Sequence, residues 1–168
     1  DIAEGAHVHT HNLEFRNVDT AYEYGTNLRP VAPATTQDTF MGYRRATGRV
    51  GTRNYIAVLT SVNCSATAGR LIAGHFDAAR LAAFPHVDGV AAFVHGTGCA
   101  MAPDSDGFGN LQRVMWGYAR HPNHAGVLMV GLGCEMNQID WLLEAYGLKQ
   151  GPLFQTMNIQ TMNIHRKL

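Results

Sequence analysis

The chain has 168 residues, a length that suits one domain with an additional fragment. Its 13 Lys and Arg residues balance 13 Asp and Glu residues, so charge gives no reason to expect a nucleic acid or an anionic membrane as a partner. No apolar run reaches about 18 residues, and we expect no transmembrane helix. Three cysteines without a CxxC pair indicate free thiols and a cytoplasmic location.

The first residues hold three histidines at alternate positions, His7, His9 and His11. Alternation predicts an extended segment with the three rings on one face. His9 and His11 are weak metal-ligand candidates, and an exposed polar face is the alternative. Residues 15–39 have poor periodicity and several turn formers, which is typical of a linker. Since the chain does not begin with Met, we expect the natural N-terminus to lie further upstream.

Residues 40–168 alternate between strand-like and helix-like segments, which predicts an α/β domain with a mostly parallel sheet flanked by helices in a Rossmann-like, three-layer arrangement. The strand candidates are NYIAVLTSV, VDGVAAFVH, AGVLMVGLG and LFQTMNI. The helix candidates are SATAGRLIAGHFDAARLAAF, GNLQRVMWGYARH and NQIDWLLEAYG. Ser65 is a plausible N-cap of the first helix, and Gly147 is placed to end the last one.

A tandem repeat, QTMNIQTMNI, occupies residues 155–164. A five-residue step inverts the side-chain face of a strand, so the two copies cannot pack alike as one continuous strand.

Side chains capable of chemistry follow the first three predicted strands. Cys64 follows the first, His95 and Cys99 follow the second, and Cys134 and Glu135 follow the third. The carboxyl ends of parallel strands share one edge, and ligands of open α/β sheets bind in the crevice there. We therefore expect these five residues to share one edge of the sheet.

Thiolates and imidazoles suit iron or zinc, whereas carboxylates suit harder ions. Each candidate also has a structural alternative. A cysteine can serve as a small buried apolar residue. His95 can cap the following turn, and Glu135 can be a first-turn acid that interacts with a helix dipole.

Two further patterns concern anions. Four arginines lie close together in GYRRATGRVGTRNY, and they fit either an anionic substrate or a solvated surface. The glycine loops GTGCA and GLGCE lack the GxGxxG spacing and the Walker lysine, so they give little support for a nucleotide site.

Several motifs together resemble the altronate/galactarate dehydratase family. They are GYRRATGRVGTRNYIAVLTSVNCSA, FPHVDGV, HGTGC, RHPN and GLGCE followed by Asn137 and Gln138, and they cover nearly all of residues 40–140. Residues 1–14 resemble the end of the small SAF (β-clip) domain that precedes the catalytic part of altronate dehydratases. The resemblance therefore implies a remnant of that domain, the linker at 15–39 and the first part of the catalytic region at 40–168.

The resemblance implies a hydro-lyase that dehydrates a six-carbon sugar acid, altronate first and galactarate next, to a keto-deoxy acid. It also implies Fe²⁺ or another divalent ion such as Mn²⁺, which would stabilise the enediolate formed in β-elimination. The implied catalytic residues are His95 and Glu135. The substrate-binding candidates are Arg49, Arg53 and Asn63, and the metal candidates are Cys64, Cys99 and Cys134.

Two alternatives stay open. The three cysteines could hold an iron–sulfur cluster with one open iron that binds another hydroxy acid. The chain could also be a non-catalytic module that binds a sugar acid or a metal, because family members are far longer than 168 residues. In each case the expected partner is a small molecule, and a homo-oligomer is compatible with the sequence.

Overall fold

The computed structural model describes residues 2–14, 16–17, 19, 21, 25 and 29–160. The chain divides into two compact units, Asp1–Asp38 and Thr39–Leu168. Of the predicted linker, residues 15, 18, 20, 22–24 and 26–28 lie outside the described part. The second copy of the tandem repeat also lies outside it, apart from Gln160.

The first unit contains a single 3-10 turn, Thr10–Asn12, within its described residues. Residues 2–14 are exposed throughout. His9 and Leu13 on either side of the turn have extended backbones, and the His9 ring accepts a hydrogen bond from the backbone of His11. The histidines therefore lie around a turn, rather than along an uninterrupted strand as their alternation predicts.

The second unit is built on a sheet of four strands, in the spatial order β4-β3-β5-β6. The strands are β3 (Tyr55–Thr60), β4 (Gly89–Phe93), β5 (His124–Gly131) and β6 (Phe154–Asn158). All neighbouring pairs are parallel, which confirms the predicted fold class and the fourth strand. A short antiparallel hairpin, β1 (Tyr43–Arg44) and β2 (Val50–Gly51), precedes the sheet. The sequence patterns did not predict this hairpin.

The described residues contain four α-helices, α1 (Ala66–Gly74), α2 (Ala78–Leu81), α3 (Asp106–Ala119) and α4 (Ile139–Tyr146), and a second 3-10 turn, Asn63–Ser65, precedes α1. The helix predicted over residues 65–84 is wrong as one element, since it breaks between α1 and α2. Asp77 has an extended backbone there, and its carboxylate accepts the backbone N–H of Arg80 at 2.9 Å. This new N-cap starts a second helix. Gly147 ends α4 with a φ of 61°, as predicted.

The core lies on both faces of the sheet. On one face, Met129 and its strand neighbours pack against Met115 of α3 and Leu142 of α4. On the other face, Val58 and Val130 pack with Ala73 of α1. Uncharged strands buried on both faces are expected when helices cover a parallel sheet on both sides.

The order of the strands creates a crevice at one end of the sheet. The chain passes from β3 to β4 on one side, whereas it passes from β5 to β6 on the other. The direction of winding therefore reverses between the adjacent strands β3 and β5. Ligands of open α/β sheets bind beyond the carboxyl ends of the strands at such a switch point.

Within the described residues, none of the helices has the length and apolar character needed to cross a membrane.

Candidate active site

Three loops meet beyond the carboxyl ends of β3, β4 and β5. We call them the first, second and third loops, residues 61–65, 94–99 and 132–138. Because β3 lies between β4 and β5, the first loop is adjacent to both others. The Asn63 N–H donates to the Thr97 carbonyl at 2.8 Å, and the Met136 N–H donates to the Cys99 carbonyl at 2.9 Å. The five candidates thus share one edge, as predicted.

His95 is held by both of its ring nitrogens. Nε2 lies 2.8 Å from the carbonyl oxygen of Thr60, and since a carbonyl can only accept, Nε2 carries the proton. Nδ1 lies 3.3 Å from both the backbone nitrogen and the hydroxyl of Thr97. The tautomer is therefore fixed, and Nδ1 is the nitrogen that can accept a proton.

The thiols of the three loops interact with one another. Cys64 and Cys99 are exposed, and Cys134 is half-buried. Desolvation by nearby atoms raises the pKa of the Cys64 thiol even though the residue is exposed, and its interactions with Cys99, Cys134 and Glu135 raise that pKa further. A thiol with a raised pKa stays protonated at neutral pH, so Cys64 is not an activated nucleophile.

Glu135 is enclosed, with only 2% of its surface exposed. Its Oε1 accepts the Ser61 hydroxyl at 2.5 Å and the Leu132 N–H at 3.2 Å. Its Oε2 accepts the Gly133 N–H at 2.6 Å. Both carboxylate oxygens are thus engaged within the protein, and Glu135 does not start α4, which begins at Ile139.

The donor atoms suit a soft metal, because three thiols belong to adjacent loops. Their arrangement does not form such a site, since no group of three or more His, Cys, Asp or Glu side chains among the described residues is placed to hold a metal ion. The geometry therefore assigns no ligand set to the metal candidates.

The substrate-binding candidates are divided between the two ends of the sheet. Asn63 is exposed in the first loop, and its side-chain oxygen lies 3.8 Å from the Cys64 sulfur. Arg49 donates to the Arg120 carbonyl at 3.1 Å, and Arg53 lies two residues before β3. Both arginines therefore lie at the amino end of the sheet, away from the three loops.

The histidine candidates of the first unit are close to each other. The Nδ1 atoms of His9 and His11 are 2.7 Å apart, so one ring donates to the other. Their ring centroids are separated by 4.7 Å, and both side chains are exposed. This hydrogen bond uses one nitrogen of each ring.

Two buried residues of the loops, Ser61 and Asn137, were not among the predicted site residues, although Asn137 belongs to one of the motifs of the family resemblance. The Asn137 Nδ2 donates to the Ser61 carbonyl at 2.9 Å, while the Ser61 hydroxyl donates to Glu135. Both residues follow strand ends, and the rule that selected the cysteines would have selected them as well. They were left out because the prediction considered only thiols, imidazoles and carboxylates at the strand ends.

Comparisons with known proteins identify the family. The family model for the second domain of D-galactarate dehydratase/altronate hydrolase matches residues 42–168. Altronate dehydratase of Escherichia coli (strain K12) is 35% identical over 148 residues, which is 88% of this chain and 29% of the relative. Altronate dehydratase of Bacillus subtilis (strain 168) is 31% identical over 148 residues, which is 86% of this chain and 29% of the relative.

No solved structure matches the chain. The chain spans 29% of the length of each of these two relatives, and the family match covers the second unit from residue 42 onward, including the three loops. From this match and these identities, the chain belongs to the D-galactarate dehydratase/altronate hydrolase family and contains its second domain.

Proposed function

We propose that this chain forms part of a hydro-lyase that dehydrates a six-carbon sugar acid, with altronate as the first candidate substrate and galactarate as the second. The observation that carries the proposal is the meeting of three loops at the switch point of the sheet, with His95 among them. The names of the two relatives support dehydration and favour altronate.

The reaction would be a β-elimination from a 2,3-dihydroxy acid. A base removes the proton from C2, the hydroxyl leaves C3 as water after protonation, and the resulting enol becomes a 2-keto-3-deoxy acid. A proton on C2 is weakly acidic, so the base must be placed accurately. His95 suits this role, because the Thr60 carbonyl fixes its tautomer and makes Nδ1 the acceptor. Nδ1 accepts the Thr97 backbone N–H at 3.3 Å, so the proposal requires the substrate proton to replace this long hydrogen bond.

Asn63 is the candidate for substrate binding at this edge, since it is exposed beside Cys64. For Arg49 and Arg53, the proposal requires a substrate carboxylate at the other end of the sheet or a site completed by another part of the full-length protein. We therefore rank Asn63 above the two arginines.

The cofactor is a separate proposal. The candidates are Fe²⁺ or another divalent ion such as Mn²⁺. Thiolates suit iron better than Mn²⁺, which prefers oxygen ligands, and the arrangement of the three thiols leads us to assign no step to either ion. Metal analysis of the full-length protein after anaerobic purification tests for the ion. Acid-labile sulfide with a brown visible spectrum would instead indicate the iron–sulfur alternative.

The catalytic proposal is tested in the full-length protein, with keto-acid formation measured from altronate and from galactarate. His95→Gln should lower kcat by a factor of about 100 or more, because it removes the proposed base. His75→Gln is the matched control, since His75 is an exposed histidine after α1. Turnover by His95→Gln close to that of the control would refute the role of His95.

Absence of keto acid from every sugar acid tested, with the full-length protein folded and loaded with metal, would refute the hydro-lyase proposal itself. Binding of altronate without turnover would favour the non-catalytic alternative.

A further inference from the structure

We propose that Asn137, together with the Ser61–Glu135 pair, is a positioning element that sets the spacing of the three loops and thereby of Cys64, Cys99 and His95. For the reaction, this inference rests on the proposed function. For the loop geometry, it stands on the structure alone.

Asn137 connects all three loops. It belongs to the third loop, its Nδ2 donates to the Ser61 carbonyl of the first loop at 2.9 Å, and its backbone N–H donates to the Gly98 carbonyl of the second loop at 3.3 Å. Its side chain is fully buried, and Nδ2 also lies 3.2 Å from the sulfur of Met115. A buried amide held in this way resists displacement, because a lost partner leaves a polar group unsatisfied.

The Ser61–Glu135 pair adds a second link between the first and third loops. The 2.5 Å hydrogen bond joins residues that are 74 positions apart in the chain. Glu135 also holds the turn of its own loop through the N–H groups of Leu132 and Gly133. Charge-assisted hydrogen bonds in a buried setting are stronger than neutral ones, so this carboxylate fixes the turn and the distance between the loops.

The reactive side chains lie next to these links. Cys134 directly precedes Glu135, and the Cys99 carbonyl accepts the N–H of Met136, the residue before Asn137. Cys64 follows Asn63, whose N–H is bonded to the second loop. A shift of the third loop would therefore move the thiols relative to one another.

The role of Glu135 follows from the same contacts. Its oxygens accept three hydrogen bonds and its surface is 98% covered, so a substrate proton would have no direct route to it. We assign Glu135 to positioning, and we leave acid–base chemistry to His95.

The test measures the spacing of the thiols in the intact 168-residue chain. Cys134→Ala leaves Cys64 and Cys99 as its two thiols. Dibromobimane becomes fluorescent when both of its arms have reacted, so it reports the rate at which the two sulfurs are bridged. In this background, Asn137→Asp keeps the shape of the side chain but replaces the amide donor with a carboxylate facing the Ser61 carbonyl.

We expect Asn137→Asp to slow bridging by about tenfold or more, because small displacements have large effects on reactions between fixed groups. Ser61→Ala removes one hydroxyl and should slow bridging less. It also serves as the test if Asn137→Asp does not fold. The control is Leu142→Ala, which opens the core under α4 but removes no hydrogen bond of the three loops, since Leu142 bonds the Gln138 carbonyl only through its backbone N–H.

If these residues contribute only to stability, the bridging rate should fall in proportion to the loss of unfolding free energy. Leu142→Ala should then follow the same proportion as the loop variants. That result would overturn the proposal, and so would wild-type bridging rates in both folded loop variants. In the full-length protein, Asn137→Asp should lower kcat more than it raises KM. If no sugar acid is turned over while bridging responds as expected, the proposed function fails and the positioning role stands.

Discussion

The reactivity of Cys64 depends on its neighbours as well as on its solvation. Desolvation raises its pKa, and interactions with Cys99, Cys134 and Glu135 raise it further, in that order. A Cys64 thiolate would lie close to other acidic side chains, and repulsion between negative charges disfavours its formation. The first loop therefore holds a thiol that is exposed to solvent but remains protonated at neutral pH.

We predict that Cys99→Ser lowers the pKa of Cys64, because it removes an ionisable thiol and keeps a side chain of similar size. The measurement is the rate of Cys64 alkylation by iodoacetamide against pH, followed by peptide mass spectrometry, since the thiolate is the reacting form. Cys134→Ser should produce a smaller shift in the same direction. An unchanged or raised midpoint in Cys99→Ser would show that the two thiols do not interact.

A second titratable residue, His124, lies at the opposite end of the sheet. Burial lowers its pKa below the ordinary value of 6.5, the hydrogen bond from its ring to the Tyr118 carbonyl opposes this, and the nearby His121 and Arg45 lower it further. Nδ1 donates that hydrogen bond at 2.7 Å. The folded protein therefore resists protonation at a pH where the unfolded chain accepts a proton.

The expected consequence is a loss of stability in acid. Below a pH of 6.5 the unfolded state binds more protons at this residue, so the free energy of unfolding falls as pH falls toward the lowered pKa of the folded state. His124→Asn retains a donor near Nδ1 and removes the titration. We expect its Tm to fall less than that of the wild type between about pH 7 and about pH 5. Parallel Tm curves for the two proteins would contradict this assignment.

The sequence could place residues at the carboxyl edge of the sheet, but it could not show which of their atoms are free. Cys64 and Glu135 both follow strand ends, and the apolar runs that predict the strands place them there correctly. Glu135 is nevertheless enclosed by Ser61 and by the backbone of its own loop. The contact with Ser61 connects residues that are 74 positions apart in the chain, so no local pattern reveals it.

At the scale of elements, the strands of the main sheet were predictable from the sequence. The interruption of the first predicted helix and the short β1–β2 hairpin were not. The apolar runs of β3, β4 and β5 are long and uncharged, which predicts strands buried on both faces. Most of β3 and β5 is buried, whereas β4, at the edge of the sheet, is half-buried throughout. The break at Asp77 depends on one capping side chain within an otherwise helical pattern. The β1–β2 hairpin has two-residue strands, which are too short for a period to be detected.

One glycine of the second loop is required by its neighbours. Gly98 has a φ of +98°, and a Cβ there would lie 2.5 Å from the Ser61 carbonyl oxygen and 3.1 Å from the Cα of Val62. Both are backbone atoms of the first loop, which cannot move aside as a flexible side chain can. The close packing of the first and second loops thus depends on the absence of a side chain.

We predict that Gly98→Ala lowers the free energy of unfolding by about 2–4 kcal/mol, from strained backbone and steric overlap together. Gly96→Ala in the same loop is the matched control, because no atom lies within 4 Å of the position of its Cβ. The control should change stability by less than about 0.5 kcal/mol. Urea denaturation measures both, and equal effects of the two substitutions would show that Gly98 is not constrained.

At the scale of the whole molecule, stability resides in the second unit. Every buried apolar residue of the described chain lies between Ala57 and Leu142. Central strand β5 is hydrogen-bonded to β3 on one side and β6 on the other. Residues 2–14, in contrast, are exposed, and the backbone hydrogen bonds among them are local, such as Asn12 N–H to the His9 carbonyl at 3.0 Å.

This contrast predicts the pattern of hydrogen exchange. Amides of residues 2–14 should exchange almost as fast as in an unfolded peptide, because the opening of a single turn exposes them. Amides of residues 127–131 should exchange only through global unfolding, since strand partners hold them on both sides. Hydrogen–deuterium exchange followed by mass spectrometry compares the two segments directly.

Adding denaturant should accelerate exchange in residues 127–131 in step with the loss of global stability and leave the exchange rates of residues 2–14 unchanged. Protection of residues 2–14 as strong as that of β5 would mean that the histidine segment belongs to a folded unit whose stabilising contacts lie outside its own exposed turn.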